Sequence, residues 1–344
     1  MAAVAPPGRS PAASTIERLT RDLVDIDSTT GREQEVAAWL AAFLRNLGYR
    51  VSEQPVGDGR FNVFAELDVA PRVVFSTHFD CVPPFVPSRQ EGGVIFGRGS
   101  CDAKGILAAQ VVAVERLRAS GESRIAMLFV AGEERGSDGA RVANDYAPEG
   151  VRFLINGEPT DNRLGIATRG VLRVKLRASG RAAHSSFPEL GESAIDKLLD
   201  ALMVLRGVAL PEDPILGRTH YTVGLIEGGV APNVVSPRAS AEIMFRIVGE
   251  GAAVRAALNV VEPLVTIEPV LDIPAVRMHT LPGFETAVFP FTTDIPLLTR
   301  WGTPLLLGPG SIHVAHTDDE HMSVDELHEA VELYERIARQ LLEC

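Results

Sequence analysis

Cysteine is scarce in this chain: three in 344 residues, Cys81, Cys101 and Cys344. That excludes a disulfide framework and fits a reduced, cytoplasmic setting. Cys81 and Cys101 read as small buried fillers rather than thiol ligands. Positive charge is also short: 33 Lys and Arg against 45 Asp and Glu, a net charge of −12. A chain this acidic is poorly suited to nucleic acid or to an anionic membrane surface. No apolar run approaches the ~18–20 residues of a membrane-spanning helix. The Ala/Pro-rich start, Met1 to Ser14, lacks the apolar stretch of a signal peptide and reads as an unstructured end. Nucleotide-binding motifs are missing: there is no Gly-x4-Gly-Lys-Ser/Thr, and no Gly-x-Gly-x-x-Gly after the first strand. Ser100 lies in a glycine-rich loop without the Gly-x-Ser-x-Gly frame of a serine hydrolase.

Apolar sequence, by contrast, is plentiful. At 46% hydrophobic residues the chain can core about two domains, on a prior of ~150 residues each. Ile16, Leu19, Leu23 and Ile26 have helical spacing. Thr30 and Glu33 have capping-box spacing, ahead of a helix carrying Val36, Leu40, Phe43, Leu44 and Leu47 and stopping at Gly48. Buried strands are expected at about 61–67, 72–77, 125–131 and 153–156, with a helix over 106–117. This alternation predicts an α/β fold, a mostly parallel sheet with helices on both faces.

The texture changes near Arg169. Leu172, Val174 and Leu176 alternate with Arg173, Lys175 and Arg177, a half-exposed strand that is basic on its wet face. A helix over about 192–208, strands near 219–226 and 238–248, a helix near 250–262 and a strand near 264–271 follow. Strand, helix, strand, strand, helix, strand predicts an α+β ferredoxin-like domain, residues 169–278, inserted into the first. Residues 1–168 and 279–344 then form the first domain, with a short strand from Pro304 to Leu307 and a final amphipathic helix opened by Ser323 and Glu326.

Chemistry-bearing side chains gather where the first domain's strands end. His78 and Asp80 close an apolar strand, and Asp102 sits in the loop Gly97-Arg-Gly-Ser-Cys-Asp-Ala-Lys-Gly105. Glu133 and Glu134 follow the next strand, Glu158 the one after, and His313, His316 and His321 cluster later. In an open α/β sheet, sites form outside the carboxyl ends of the strands. His78 and Asp102 are metal-ligand types, and Asp80 is placed to orient the imidazole. Adjacent glutamates repel and need a cation to be held close. Mixed His and carboxylate donors suit zinc, with cobalt or manganese as substitutes. There are enough acids for two ions sharing one bridging carboxylate.

These segments resemble the family of acetylornithine deacetylase, succinyl-diaminopimelate desuccinylase, aminoacylase and glutamate carboxypeptidase, which are dinuclear zinc amide hydrolases. The matching pieces are Thr77-His-Phe-Asp80, the 97–105 loop, Gly132-Glu-Glu134, Gly157-Glu-Pro159, Gly180-Arg-Ala-Ala-His-Ser-Ser-Phe-Pro188, Gly228-Gly-Val-Ala-Pro-Asn233 and Ala315-His316 with Asp319-Glu320. They occur in the family's order from about residue 15 to the end. The resemblance implies that Asp102 bridges two zinc ions, His78 and Glu158 completing one site and Glu134 and His316 the other. It makes Asp80 the orienter of His78 and Glu133 the general base. His184 would be the inserted-domain histidine that reaches the partner subunit's active site, and Asn233 and Arg246 the grip on the substrate's carboxylate. It implies a homodimer formed through the inserted domain, which also acts as a lid. Gly283, Thr293 and Asp294 lie where the chain re-enters the first domain; all three are candidates to line the substrate pocket, with an ordinary connecting loop as the simpler reading of each. His313 and His321 are expected to lie at the surface or behind the ligands.

The function expected is hydrolysis of the amide of an N-acyl amino acid. Acetylornithine deacetylase-like activity leads, on the 98–105 stretch and the compact length; a desuccinylase, carboxypeptidase or dipeptidase is the alternative. A cysteine nucleophile at Cys81 or Cys101, with His78 or His316 as base, is a rival that would survive metal removal. A binding protein without turnover is the rival from another class.

Overall fold

The computed structural model describes residues 15–343. The Ala/Pro-rich start and Cys344 lie outside them. The chain divides into two compact units. One comprises residues up to Ile166, Met278–Ala287 and residues from Thr293 onward; the other comprises Ala167–Arg277 and Val288–Thr292.

The strands of the two main sheets are β1 (Arg50–Gly57), β2 (Arg60–Glu66), β3 (Val73–His78), β4 (Ile125–Val130), β5 (Phe153–Asn156), β6 (Gly170–Ser179), β7 (His220–Gly228), β8 (Arg238–Ile247), β9 (Thr266–Ile273) and β10 (Thr303–Leu306). The helices are α1 (Ile16–Val24), α2 (Gln34–Asn46), α3 (Lys104–Ala119), α4 (Asp138–Asp145), α5 (Ala194–Leu205), α6 (Gly251–Leu258) and α7 (Val324–Glu343).

In the first unit the sheet order is β1-β2-β4-β3-β5-β10. β4, β3, β5 and β10 run parallel, and the β1–β2 hairpin adds an antiparallel edge. The fold is α/β, as expected. β3 and β4 are buried at every position because both faces of the sheet are covered. Side chains alternate between two cores. Val73, Phe75, Ile125, Met127 and Phe129 join the apolar stripes of α1, α2, α3 and α7. Val74, Ala126, Leu128 and Val130 face Ala140 and Ala143 of α4 and the buried Trp301. The Trp301 indole donates to the Ala143 carbonyl at 3.1 Å, so its one polar atom is satisfied.

Three features differ from expectation. β1 has no apolar run, because an exposed edge strand paired only to β2 has nothing to bury; it carries Pro55 beside a bulge. α4 escaped notice for lack of length. The capping box at Thr30 and Glu33 does not form. Thr30 donates its hydroxyl to Asp80 at 2.8 Å, and the buried Glu33 occupies the N-cap position itself, accepting from Gly31 N–H at 2.7 Å.

In the second unit β7-β8-β6-β9 form an antiparallel sheet. Leu172, Val174, Leu176, Ile243, Phe245 and Ile247 pack on one face with Leu198 and Leu205 of α5 and Val254 and Leu258 of α6. The other face carries Arg173, Lys175, Arg177, Glu242 and Arg246, all partly or fully exposed.

Candidate metal centre

Three parallel strands deliver their following residues to one edge of the sheet. β3 ends at His78, β4 leads into Gly132-Glu133-Glu134, and β5 leads into Gly157-Glu158. Asp102 comes from the loop before α3, and His316 from the segment before α7. His78 Nε2 lies 3.0 Å from Asp102 Oδ1, and His316 Nε2 lies 3.3 Å from Asp102 Oδ2 and 2.8 Å from Glu134 Oε1. Two donor groups result, sharing Asp102: His78, Asp102 and Glu158, and Asp102, Glu134 and His316. In each, the donor atoms lie within 4.8 Å of one another.

The electrostatics are those of acids short of counter-charge. Burial and the neighbouring Glu158 push the Glu133 carboxyl well above the usual range. Burial also raises Glu158, whose Oε1 is buried without a partner, and raises Glu134 against the pull of His316. Asp102 goes the other way: burial opposes its charge, but hydrogen bonds with His316 and His78 outweigh burial and hold it below the usual range. Asp102 and Glu134 together lift His316 to about 10. Four carboxylates facing two imidazoles fit a pair of divalent cations, which would neutralise the repulsion and occupy Glu158 Oε1. The His78 ring suits this role. Its Nδ1 is 3.0 Å from the Asp80 carbonyl, which can accept a hydrogen bond from Nδ1–H and leaves Nε2 turned toward Asp102.

The supporting bonds come from far along the chain. Asp80 accepts from the Glu133 and Glu134 backbone N–H groups at 3.0 and 3.2 Å, so it anchors the glutamate turn as well as lying 3.4 Å from His78 Nδ1. The buried Asn62 of β2 accepts from Ala131 N–H at 3.1 Å and donates to the Gly139 carbonyl at 2.8 Å, clamping both ends of that turn. Glu320 is buried, and its Oε1 accepts from the N–H groups of Gly99, Cys101 and Asp102 at 2.9, 3.1 and 3.1 Å. Its Oε2 accepts from Arg98 at 2.6 Å. Gly99 has φ +87°, and a Cβ there would lie 2.5 Å from Cys81 Sγ, so the loop requires glycine at this point.

Nothing in the sequence sets Glu320 apart beyond its motif, and Asp294 stands there only as one of three pocket candidates in a connecting segment. Asp294 is buried, its Oδ1 lacks a partner, and burial lifts it to about 6; its charge also raises Glu133. Cys81 and Cys101 are buried and free, and burial pushes Cys81 up to about 11 and Cys101 well above its usual range. Burial withdraws both thiols from solvent and disfavours the thiolate, which argues against a thiol nucleophile. Gly283 makes a positive-φ turn whose carbonyl accepts from Arg336 of α7 at 2.7 Å; its partner lies on the final helix rather than among the acids. His313 is exposed, and His321 is partly buried with its ring against Phe96.

In the second unit His184 is exposed, and its Nδ1 accepts from Ser186 N–H at 3.2 Å. That bond occupies Nδ1 and leaves Nε2 as the ring nitrogen free to meet a ligand. Asn233 is exposed, its backbone carbonyl accepting from Ser185 N–H at 3.0 Å. Arg246 is half-buried on the open face of β8, and burial lowers its pKa with no acid acting against it.

The profile of peptidase family M20/M25/M40 matches residues 74–340. The chain belongs to this family. A peptidase M20 domain-containing protein of Schizosaccharomyces pombe is 35% identical over 95% of this chain and 85% of its own length. A protein of Aspergillus terreus named probable carboxypeptidase is 36% identical over 92% and 84%. Among solved structures, a tripeptidase from Staphylococcus aureus superposes with a TM-score of 0.78 at 20% identity, covering 94% of this chain and 98% of that one. The Bacillus subtilis YXEP protein, described as a dinuclear metal-binding peptidase of the M20 family, gives 0.74 at 16% identity, covering 95% and 98%. Family M20 membership makes the chain a hydrolase of amide bonds, and its acid-and-histidine edge fits metal dependence. The deacetylase branch expected from sequence is not singled out, since the similar relatives carry carboxypeptidase names.

Proposed function

We propose that the protein is a dinuclear metal-dependent hydrolase that cleaves the amide joining an acyl or peptidyl group to an amino acid with a free carboxylate. The observation that carries this is the pair of donor groups sharing Asp102, with Glu133 beside them. Carboxypeptidase and N-acyl amino acid deacylase are two uses of this one reaction. Relatives named carboxypeptidase favour the first; acetylornithine deacetylase-like specificity is the narrower alternative.

His78, Asp102 and Glu158 would hold one ion, and Asp102, Glu134 and His316 the other. Zinc suits the donors, with cobalt or manganese as substitutes. Bound there, the ions would supply an acidified water and polarise the scissile carbonyl. Glu133 is the general base. Its surroundings raise its proton affinity, so it takes the attacking water's proton and hands it to the leaving amine. Asp80 positions both the base and His78 through its bonds to each. His184 offers Nε2–H to the tetrahedral oxyanion. Arg246, a half-buried guanidinium, and Asn233 receive the substrate's carboxylate.

We also read the inserted unit as lid and homodimer surface. β7 is an unpaired edge, and Leu225 and Ile226 on it, with Leu199 and Met203 on α5, are more than half exposed. Sedimentation should give a dimer, dissociated by Leu199→Glu with Met203→Glu.

The deciding experiment counts metal per subunit. It then assays N-acetyl, N-succinyl and dipeptide substrates before and after chelation. Turnover that vanishes with chelator and returns with zinc is the expected result. Turnover indifferent to chelation would overturn the reading, and bound metal without turnover on any substrate would leave a binding protein.

A further inference from the structure

The open face of the inserted sheet sorts its charges along the strands. In antiparallel register, residues opposite one another share a face. Across β7, β8, β6 and β9, one row is Glu227, Ser240, Arg177, Thr266 and the next is Leu225, Glu242, Lys175, Glu268. Here the cations are neutralised, with Arg177 2.7 Å from Glu268 and Lys175 3.4 Å from Glu242. The two rows beyond are Thr222, Met244, Arg173, Leu271 and His220, Arg246, Val171, Ile273. They contain two guanidiniums, one imidazole and no carboxylate.

Among the described residues, neither Arg173 nor Arg246 has an ion pair or a guanidinium hydrogen bond, and both are only partly exposed. Arg173 Nε is buried with nothing to receive its proton. A buried donor left unsatisfied is costly, and an accepting ligand would recover that cost. Arg173 stands diagonally from Arg246, a spacing of roughly 7–8 Å at the sheet that long side chains can adjust. Two such cations match a small molecule with two carboxylates, because guanidinium binds carboxylate through paired N–H groups.

We propose that Arg173 is a second carboxylate-binding residue beside Arg246, and that the amino acid released by this hydrolase has an acidic side chain. The proposal rests on the role given to Arg246 above and adds the identity of the residue whose amide is cut.

N-acetyl-L-glutamate and N-acetyl-L-glutamine differ only at the side-chain carboxylate. With the full-length, zinc-loaded protein, kcat/KM should favour the glutamate by about tenfold or more, the worth of a charge-assisted hydrogen bond. Arg173→Met should erase that preference by raising KM for the glutamate alone, and Arg173→Lys should restore part of it. Equal values in the wild type would overturn the proposal. So would a parallel fall for both substrates in Arg173→Met, which would mean that both arginines hold one carboxylate or support the sheet. If neither compound is hydrolysed, the functional reading is what fails for them. Calorimetric titration of the same two compounds into the full chain then decides separately: tighter glutamate binding that Arg173→Met removes supports the proposal, and equal binding overturns it. If Arg173→Met does not fold, Arg173→Gln takes its place in every arm.

Discussion

The two units keep unbalanced charge of opposite sign, and they keep it differently. In the first, Asp102, Glu133, Glu134, Glu158 and Asp294 crowd one sheet edge, and all but Asp102 are raised above their ordinary range. In the second, Arg173 and Arg246 occupy two neighbouring cross-strand rows of the open sheet face that contain no acid. Elsewhere both units pair their charges: Glu33 with Arg60, Arg98 with Glu320, Arg177 with Glu268. Unpaired, desolvated charge is costly. Where a fold retains it, the missing counter-ion points to a ligand; on the readings proposed above, that is a pair of divalent cations for the first unit and a carboxylate for the second.

The comparison breaks most sharply at Glu133 and Glu134. Glu133→Gln should cut kcat by about 10²- to 10⁴-fold with bound metal near the wild-type level, as befits a proton carrier. Glu134→Ala should lose metal, read by elemental analysis; equal metal loss in both would contradict the assigned roles. On the basic side, Arg246→Met should raise KM by roughly tenfold to a hundredfold with a smaller change in kcat, because it removes a charge-assisted contact. An unchanged KM would take the substrate's carboxylate away from this residue.

A smaller effect concerns stability without metal. Asp294 titrates near 6 when folded against an ordinary 3.8, so the folded state holds its proton more tightly. Its ionisation therefore opposes folding, fully above about pH 6 and not at all below about pH 4. The metal-free protein should melt higher as pH falls from 7 toward 5, and Asp294→Asn should flatten that slope and raise the pH 7 melting temperature by a few degrees. The smallest effect expected is none. With Cys81 pushed up to about 11 by burial, iodoacetamide at pH 7 should leave activity intact.

How much of this could be read beforehand depended on where each signal lay. The candidate ligands His78, Glu134 and Glu158 follow apolar runs, and such runs mark parallel strands whose ends are shared. The inserted unit was visible because Leu172 to Arg177 alternates, which only a one-face-wet strand requires. β1 gave no sign, since an exposed edge needs no apolar pattern. Thr30 was assigned to a helix cap because local spacing cannot reveal that its hydroxyl reaches Asp80, 50 residues away. Asp294 looked like loop because burial there is made by the fold around it. The unpaired state of Arg173 appears only once the strands are in register.

Glu320 reaches across 218–222 positions to bond Arg98, Gly99, Cys101 and Asp102. It therefore sets a clock on synthesis. All candidate ligands except His316 have left the ribosome once residue 158 has emerged, yet three loop amides and a guanidinium lack their acceptor until Glu320 follows. A nascent chain stalled in the inserted unit would therefore carry most of the candidate donors without the acceptor that holds the Asp102 loop.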